Sequence, residues 1–473
     1  MVNTGRPSRA CFNCKERKVK CDQQMPSCGR CMRLLGHCPG YPDRWLLTLR
    51  RQDAHAAQLV NTRVERSRSR RAEQAGLIDM PVVRTLDFSA ETMSVHKFFA
   101  DYTAQSGVAF LELLADKYTL PSMPCLSAAL EATAMASSSR QLRQSGLMTR
   151  TRQAYSKAIS GIRHAMQDES LIKEDSVLLS LFVLGLFQTV AAEFAPQQNP
   201  TTEPGCHPHA RGALALFQYR AKHQLVNSLD RGLLALFWEI RLMDFFTTPR
   251  EIPPLWFELD LFIDSLEDGP NLDPLIRRAV DFKVLFLSLD LGLSVPEIGR
   301  IHGIQFPELI RSGLSLAQSL DEEARRIVYV DGVGVPSVAF NGFIAISCAT
   351  NAAIARCLYL TVRLHVLEIL SEAADALHFH SSPSRPHAAV CTEQLLREIT
   401  SALNAAPSRT EGQVSKEPGI GFRAYSLYWP MTAVLRSKLA NEATRAWVRE
   451  KLLEIGTAGG FGLAVTAGEK MER

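Results

Sequence analysis

The sequence predicts a mainly α protein with two dissimilar parts. At the N-terminus, six of the 11 cysteines fall within residues 11–38, a density that no later stretch approaches. From about residue 91 onward, apolar residues recur at helical spacing in one segment after another, and strand signals are few. Because 473 residues are too many for one compact core, we expect a small cysteine-organised unit followed by a large all-helical domain.

The cysteines follow the pattern C-x2-C-x6-C-x6-C-x2-C-x6-C, in which the second half repeats the first. Four thiolates complete one tetrahedral zinc site, so six complete two sites only if two of them bridge. By symmetry, the bridging ligands are the first cysteines of the two halves, Cys11 and Cys28. The predicted cofactor is two Zn²⁺ per chain, and so small a segment would draw its folding free energy from the metal. The six predicted ligands are Cys11, Cys14, Cys21, Cys28, Cys31 and Cys38.

Charge is distributed unevenly along the chain. Residues 1–75 carry a net charge of +10 and the remainder −6, although the whole chain has a formal net charge of only +4. The hexapeptide KERKVK lies between the second and third cysteines. A basic arm that contains metal ligands predicts binding to a polyanion, with DNA as the first choice.

The thiols are expected to bind metal rather than pair as disulfides. The first residues are polar and basic, so we expect no secretory leader, and disulfides do not persist in the cytosol or nucleus. Two alternatives fit the spacing less well. One is a disulfide knot, and the other is a single four-cysteine zinc site with two spare thiols.

Together these features resemble the Zn2Cys6 binuclear cluster of fungal transcription factors. The matching elements are the run from Arg17 to Asp22, Pro26, the Cys28-x2-Cys31 pair, and Cys38 followed by Gly40-Tyr41. In that family the first helix points its C-terminal end into the DNA major groove, where a lysine reads guanines of a CGG triplet. The resemblance implies double-stranded DNA with CGG-type half-sites as the partner and the nucleus as the compartment.

The resemblance also assigns roles to the basic residues. Lys18 takes the base-reading position with Arg17 beside it, and both side-chain types suit the O6 and N7 acceptors of guanine. Other basic side chains would contact phosphates, which positions the protein without specifying sequence. The expected phosphate contacts are Arg9, Lys15, Lys20, Arg30 and Arg33.

These patterns divide the chain into a DNA-binding domain at residues 8–42, a basic and largely disordered linker at residues 43–90, and a helical domain at residues 91–473. Leu46 and Leu49 begin a heptad pattern that breaks within the linker, too early to predict a coiled coil. A homodimer therefore stays an open alternative. The arginine-rich stretch near residue 68 fits nuclear import or additional phosphate contact.

The helical domain is read from apolar periodicity. The apolar run from Val177 to Ala192 predicts a buried core helix rather than a membrane span, so no membrane partner is expected. The segment from Ile327 to Val330 is the one tempting strand. The predicted helices lie near residues 91–104, 124–137, 145–167, 174–192, 209–222, 228–245, 273–290, 307–328, 340–378, 387–404 and 427–457.

The order of features in this region resembles the fungal-specific transcription factor domain. That resemblance implies an all-helical regulatory domain that takes part in self-association or effector sensing. The matching pieces are His96 to Phe99, Leu178 to Phe187, His209 to Ala213, Tyr428 to Pro430 and Arg445 to Val448.

No enzymatic function is predicted. The sequence contains no G-x-x-x-x-G-K-[ST], no H-E-x-x-H and no G-x-S-x-G pattern. The favoured function is sequence-specific regulation of RNA polymerase II transcription, with the transcription machinery or co-regulators as further partners. The alternative is a co-regulator that another DNA-bound factor recruits and that has weak DNA affinity of its own.

Overall fold

The computed structural model divides the chain into two compact units, Met1–Asp87 and Phe88–Arg473. Each has a hydrophobic core of its own: cysteines dominate the first, and aliphatic and aromatic side chains from many helices form the second. The described residues are 10–41, 61–67, 88–119, 124–142, 146–192, 208–248, 252–290, 306–330, 337–340, 342, 344–376, 384–404 and 417–470.

Two short helices organise the first unit. Helix α1 is Phe12–Glu16 and helix α2 is Gly29–Leu35, and each begins directly after the cysteine that forms its N-cap, Cys11 or Cys28. Residues 61–67 form a further helix, α3, inside the predicted linker. The rest of that linker up to residue 87 lies outside the described residues.

The second unit is helical, as the sequence predicts. Ser89 caps its first helix by accepting a hydrogen bond from the backbone N–H of Thr92 at 3.2 Å. That helix, α4, continues into a π-helical turn at Phe99–Thr103. The helices are α4 (Ala90–Phe98), α5 (Ala109–Thr119), α6 (Pro124–Gln141), α7 (Leu147–Ala165), α8 (Asp175–Val190), α9 (Pro208–Lys222), α10 (Ser228–Thr247), α11 (Pro254–Asp264), α12 (Pro274–Asp290), α13 (Phe306–Arg326), α14 (Ala349–Ala376), α15 (Ser384–Asn404), α16 (Ile420–Arg436), α17 (Glu442–Gly459) and α18 (Gly462–Lys470).

Two of these helices run through the interior of the unit. Helix α8 is the predicted core helix, and the side chains of Leu178, Leu179 and Leu184 in it are fully buried. The 28-residue helix α14 packs against α12, α13, α15 and α16. None of the helices in the described part of the chain is long and apolar enough to cross a membrane.

A buried ionic network joins helices α8, α9 and α10. Arg220 donates to both carboxylate oxygens of Asp230, at 2.5 and 2.9 Å, and to Asp175 at 2.8 Å. Asp230 also accepts the backbone N–H of Asn227, whose side chain in turn accepts the N–H of Asp230, so the two form a capping box at the start of α10. The network fixes where α10 begins against its neighbours.

Two details of the predicted secondary structure are wrong. Residues 327–330 are not a strand; Val328 and Val330 are exposed, whereas Ile327 is buried and Tyr329 packs against the core. The antiparallel pair is instead β1 (Ser337–Ala339) with β2 (Ile344–Ile346), where the sequence predicted the start of a helix. β-Branched composition alone did not identify the strand, because a strand also needs a partner in space.

The predicted helix at residues 427–457 is two helices. Helix α16 ends at Arg436, and α17 begins after Asn441, whose side chain accepts the backbone N–H of Thr444 at 2.8 Å. The apolar period continues across the break because both helices bury a face in the same core. Asn441 as an N-cap was the missed signal.

Candidate metal centre and nucleic-acid interface

The local fold of the first unit brings the six predicted ligands together. Cys11 and Cys28 cap the two short helices, and Cys14 and Cys31 lie three residues further on, on the same helical faces. The segments that follow α1 and α2 bring Cys21 and Cys38 back to the other four cysteines. All but Cys38 are buried, and Cys38 is half-buried.

The distances between sulfur atoms fit tetrahedral metal coordination. Cys11 Sγ lies 3.6 Å from Cys31 Sγ, and Cys14 Sγ lies 3.8 Å from Cys28 Sγ. With Zn–S bonds of about 2.3 Å, the edge of a ZnS₄ tetrahedron is roughly 3.8 Å. The described cysteines are free thiols rather than disulfides. The residues therefore fit zinc.

The sulfur atoms form two overlapping groups. In one group, the sulfurs of Cys11, Cys14, Cys21 and Cys28 lie within 4.8 Å of one another, and in the other so do those of Cys11, Cys31 and Cys38. Cys11 is common to both, as a bridging ligand must be. Among the described residues, no other group of histidine, cysteine or carboxylate side chains is arranged to hold a metal ion.

The thiols of Cys11 and Cys14 would need a cation nearby to ionise. Burial raises the pKa of Cys14 to about 12 and that of Cys11 further still, since a lone thiolate in this interior would be poorly solvated. A coordinated thiol is deprotonated outright by the charge of the cation. Zinc would therefore make Cys11 and Cys14 available as ligands; the pKa of Cys21 and that of Cys31 are lowered instead, because burial is outweighed by hydrogen bonds there.

Three further side chains hold the cluster and were not singled out as functional from the sequence. Asn13 Nδ2 donates to Cys31 Sγ at 3.5 Å. The Asp22 carboxylate accepts the backbone N–H groups of Gly29 at 3.2 Å and Arg30 at 3.0 Å, which ties the first half to the start of α2. Tyr41 donates its hydroxyl to the Gln24 carbonyl at 2.7 Å. None of these contacts follows a local sequence period, so spacing alone could not reveal them.

Helix α1 ends in a Schellman motif with Lys18 at its left-handed position. The backbone N–H of Val19 donates to the Cys14 carbonyl at 3.0 Å, and that of Lys18 to the Lys15 carbonyl at 3.2 Å. Lys18 has φ = 53°. Glycine is the usual residue at this position, because an L side chain there crowds the following carbonyl and costs about 1–2 kcal/mol.

The basic side chains around α1 are open to solvent. Lys18 and Arg17 are exposed at the C-terminal end of α1, where the sequence places the base-reading residues. The exposed residues with predicted phosphate contacts are Lys15, Lys20, Arg30 and Arg33. Arg9 lies outside the described residues.

The remaining described cysteines and His209 have structural surroundings. Cys125, Cys348, Cys357 and Cys391 are buried in the helical unit. His209 Nε2 lies 3.1 Å from the Tyr155 hydroxyl, and its ring packs edge-on against that tyrosine. These residues give no second metal site in the described part of the chain.

Comparison with known proteins supports the reading of the first unit only. Residues 9–45 match the family model of the fungal Zn(2)-Cys(6) binuclear cluster domain. No curated protein and no solved structure matches the chain. The predicted fungal-specific transcription factor domain in the helical unit receives no support. Residues 9–45 are therefore similar to the fungal Zn(2)-Cys(6) binuclear cluster domain, which indicates a fungal family of DNA-binding transcription factors.

Proposed function

We propose that the protein is a nuclear, sequence-specific regulator of RNA polymerase II transcription. Its cysteine cluster would bind CGG-type triplets in the major groove of double-stranded DNA. The observation that carries this proposal is the exposed, basic C-terminal end of α1, directly beside the metal ligands. The proposed role is regulatory rather than catalytic.

Lys18 is the proposed base-reading residue, with Arg17 beside it. A lysine at a left-handed position is less stable than a glycine would be. The exposed positive charge at the end of α1 supports the role, rather than the backbone conformation, since exposed Gln23 has a similar φ of 59°. The end of a helix also suits this role, since it can enter a groove about 12 Å wide while the rest of the unit stays outside.

Phosphate contacts would supply most of the affinity. The proposed residues are Arg9, Lys15, Lys20, Arg30 and Arg33. Those that the structure describes are exposed and on or near α1 and α2. Their contribution would weaken steeply with salt, because each neutralised phosphate releases condensed counterions.

The proposed cofactor is two Zn²⁺ per chain, with Cys11 and Cys28 as the bridging ligands. The shared position of Cys11 in both sulfur groups supports its half of this assignment. The N-cap position that Cys11 and Cys28 occupy in equivalent helices supports extending the role to Cys28.

We propose three segments with separate roles. Residues 8–42 would bind DNA, residues 43–90 would act as linker, and residues 91–473 would regulate activity through co-regulators or the transcription machinery. A homodimer would require the helical unit or the linker, because the short α1 and α2 are both occupied in holding ligands.

The test combines metal content with DNA binding. Native mass spectrometry of the intact protein should give two zinc ions per chain, and fluorescence anisotropy at physiological salt should show tighter binding to a CGG-containing duplex than to its scrambled counterpart. Chelation should abolish the difference. The proposal would be contradicted by one zinc ion or none per chain, or by equal affinity for both duplexes. The co-regulator alternative would be favoured if the affinity for both duplexes is equal and weak but rises when a second DNA-bound factor is added.

A further inference from the structure

The helical unit contains an aromatic cavity that no part of the DNA-binding proposal uses. Its volume is about 110 Å³, and it lies among helices α5, α8, α9, α10 and α16. Several residues that line it are only half-buried, so the cavity reaches the surface. Lining residues that matter to its chemistry are Phe110, Phe182, Gly185, Gln188, Phe237 and Tyr425.

Gly185 lies at an open part of the cavity wall. It lies in the interior of α8, where glycine is less stable than alanine. A Cβ atom at this position would meet no atom within 4 Å among the described residues. Packing therefore does not require a glycine here, in contrast to Gly421, where a Cβ would lie 2.3 Å from the Tyr102 ring. The absence of a side chain at Gly185 instead leaves space in the cavity for a bound molecule.

Gln188 places one polar atom at the same wall. It follows Gly185 by three residues, on the same face of α8. Its Oε1 atom is buried and has no hydrogen-bond partner in the described part of the chain. A buried acceptor without a donor is unfavourable, and a bound molecule with an N–H or O–H group would supply the missing donor.

Two other polar side chains at the cavity have partners. His209 is paired with the Tyr155 hydroxyl, and Arg241 with Asp244 at 2.6 Å. Ordered water needs two to four polar partners, and Gln188 Oε1 alone supplies too few. The cavity is thus suited to an apolar molecule with a single donor.

We propose that this cavity binds a small, neutral molecule of single-ring size, with an apolar body against the aromatic side chains and one hydrogen-bond donor to Gln188 Oε1. A closed cavity of about 150 Å³ is known to hold benzene; this cavity is smaller, at about 110 Å³, and its opening to the surface lets part of a substituted single ring extend beyond it. The aromatic lining offers edge and face contacts to such a ring. This site is independent of DNA binding by the cysteine cluster.

The experiment compares phenol with toluene, which have similar shapes but differ in the hydroxyl donor. Isothermal titration calorimetry on the full-length, zinc-loaded protein should show binding of both, with phenol tighter by about 2- to 12-fold, the ratio that one net hydrogen bond gives. Binding of neither compound at saturating concentration would overturn the proposal.

Two variants locate the site. Gly185→Leu should fill the cavity and abolish binding of both compounds, whereas Gly185→Ala is the matched control and should retain it. Gln188→Met keeps the side-chain length but removes the acceptor, so toluene should bind as before and the preference for phenol should disappear. Unchanged binding to Gly185→Leu, or a phenol preference that persists in Gln188→Met, would refute the assignment; circular dichroism verifies that each variant is folded.

Discussion

Replacing Lys18 with glycine separates the stability of the cluster from its recognition of DNA. Lys18 has φ = 53° at the C-terminal end of α1, and glycine would relieve about 1–2 kcal/mol of backbone strain there. The more flexible unfolded chain offsets about 0.4–1 kcal/mol of this gain. Lys18→Gly should therefore be at least as stable as the wild-type protein and should hold the same amount of zinc.

Binding to the CGG duplex should nevertheless weaken. One good contact between a lysine and guanine acceptors is worth about 1–3 kcal/mol, which corresponds to a roughly 5- to 150-fold loss of affinity. Binding to a scrambled duplex should change much less, so the ratio of the two dissociation constants falls. Fluorescence anisotropy with both duplexes, at one fixed salt concentration, measures this ratio.

Gln23 supplies the matched control. It is also exposed, lies in the same unit and has φ = 59°. Gln23→Gly therefore relieves similar backbone strain without removing a cation, and it should leave both affinities unchanged. A specificity ratio that is the same in Lys18→Gly as in Gln23→Gly would refute the base-reading role of Lys18.

Three further predictions address the phosphate contacts and the helical unit. Arg33→Ala should weaken binding to CGG and scrambled duplexes equally. In a salt titration it should also lower the slope of log K against log salt by about 0.9. A loss of affinity for the CGG duplex alone would contradict its phosphate role. Arg220→Met would leave Asp230 buried without its cation and should lower the free energy of unfolding of the helical unit by about 3–5 kcal/mol in urea denaturation. The control Arg231→Met removes an exposed pair with Asp268 and should lower it by less than about 1 kcal/mol. Equal losses of stability in the two variants would be inconsistent with the buried network. Burial raises the pKa of Glu239 well above its usual value, so this acid stays protonated to a higher pH in the folded chain than in the unfolded one. The stability that it contributes is lost as pH rises from the ordinary glutamate pKa towards the folded one. The difference in melting temperature between Glu239→Gln and the wild-type protein should therefore shift in favour of the variant when pH rises from 5 to 8. A difference that is the same at both pH values would argue against this.

Apolar periodicity was enough to predict the helical fold, because each helix buries a face in the common core. It located α8 and α10 closely, since both carry long apolar stripes. It could not place the break between Arg436 and Asn441, where burial continues across two helices. Nor could it assign β1 and β2, whose pairing depends on a turn rather than on composition.

The sequence predicted the ligands of the candidate metal site but not the side chains that hydrogen-bond around them. Cysteine spacing alone predicted the six thiols that the structure brings together, because metal coordination favours such spacing. The hydrogen bonds of Asp22 to Gly29 and Arg30 span seven and eight residues and follow no helical or strand period. The left-handed conformation of Lys18 also had no sequence signal, since the usual marker, glycine, is absent at that position.

The most direct test of the central claim is selection from a random duplex library. Full-length, zinc-loaded protein would be incubated with the library at physiological salt, and bound DNA would be sequenced after several rounds. We expect enrichment of CGG triplets with the wild-type protein and loss of that enrichment with Lys18→Gly. Enrichment of no motif, or of the same motif after zinc has been removed, would contradict a zinc-dependent reader of CGG.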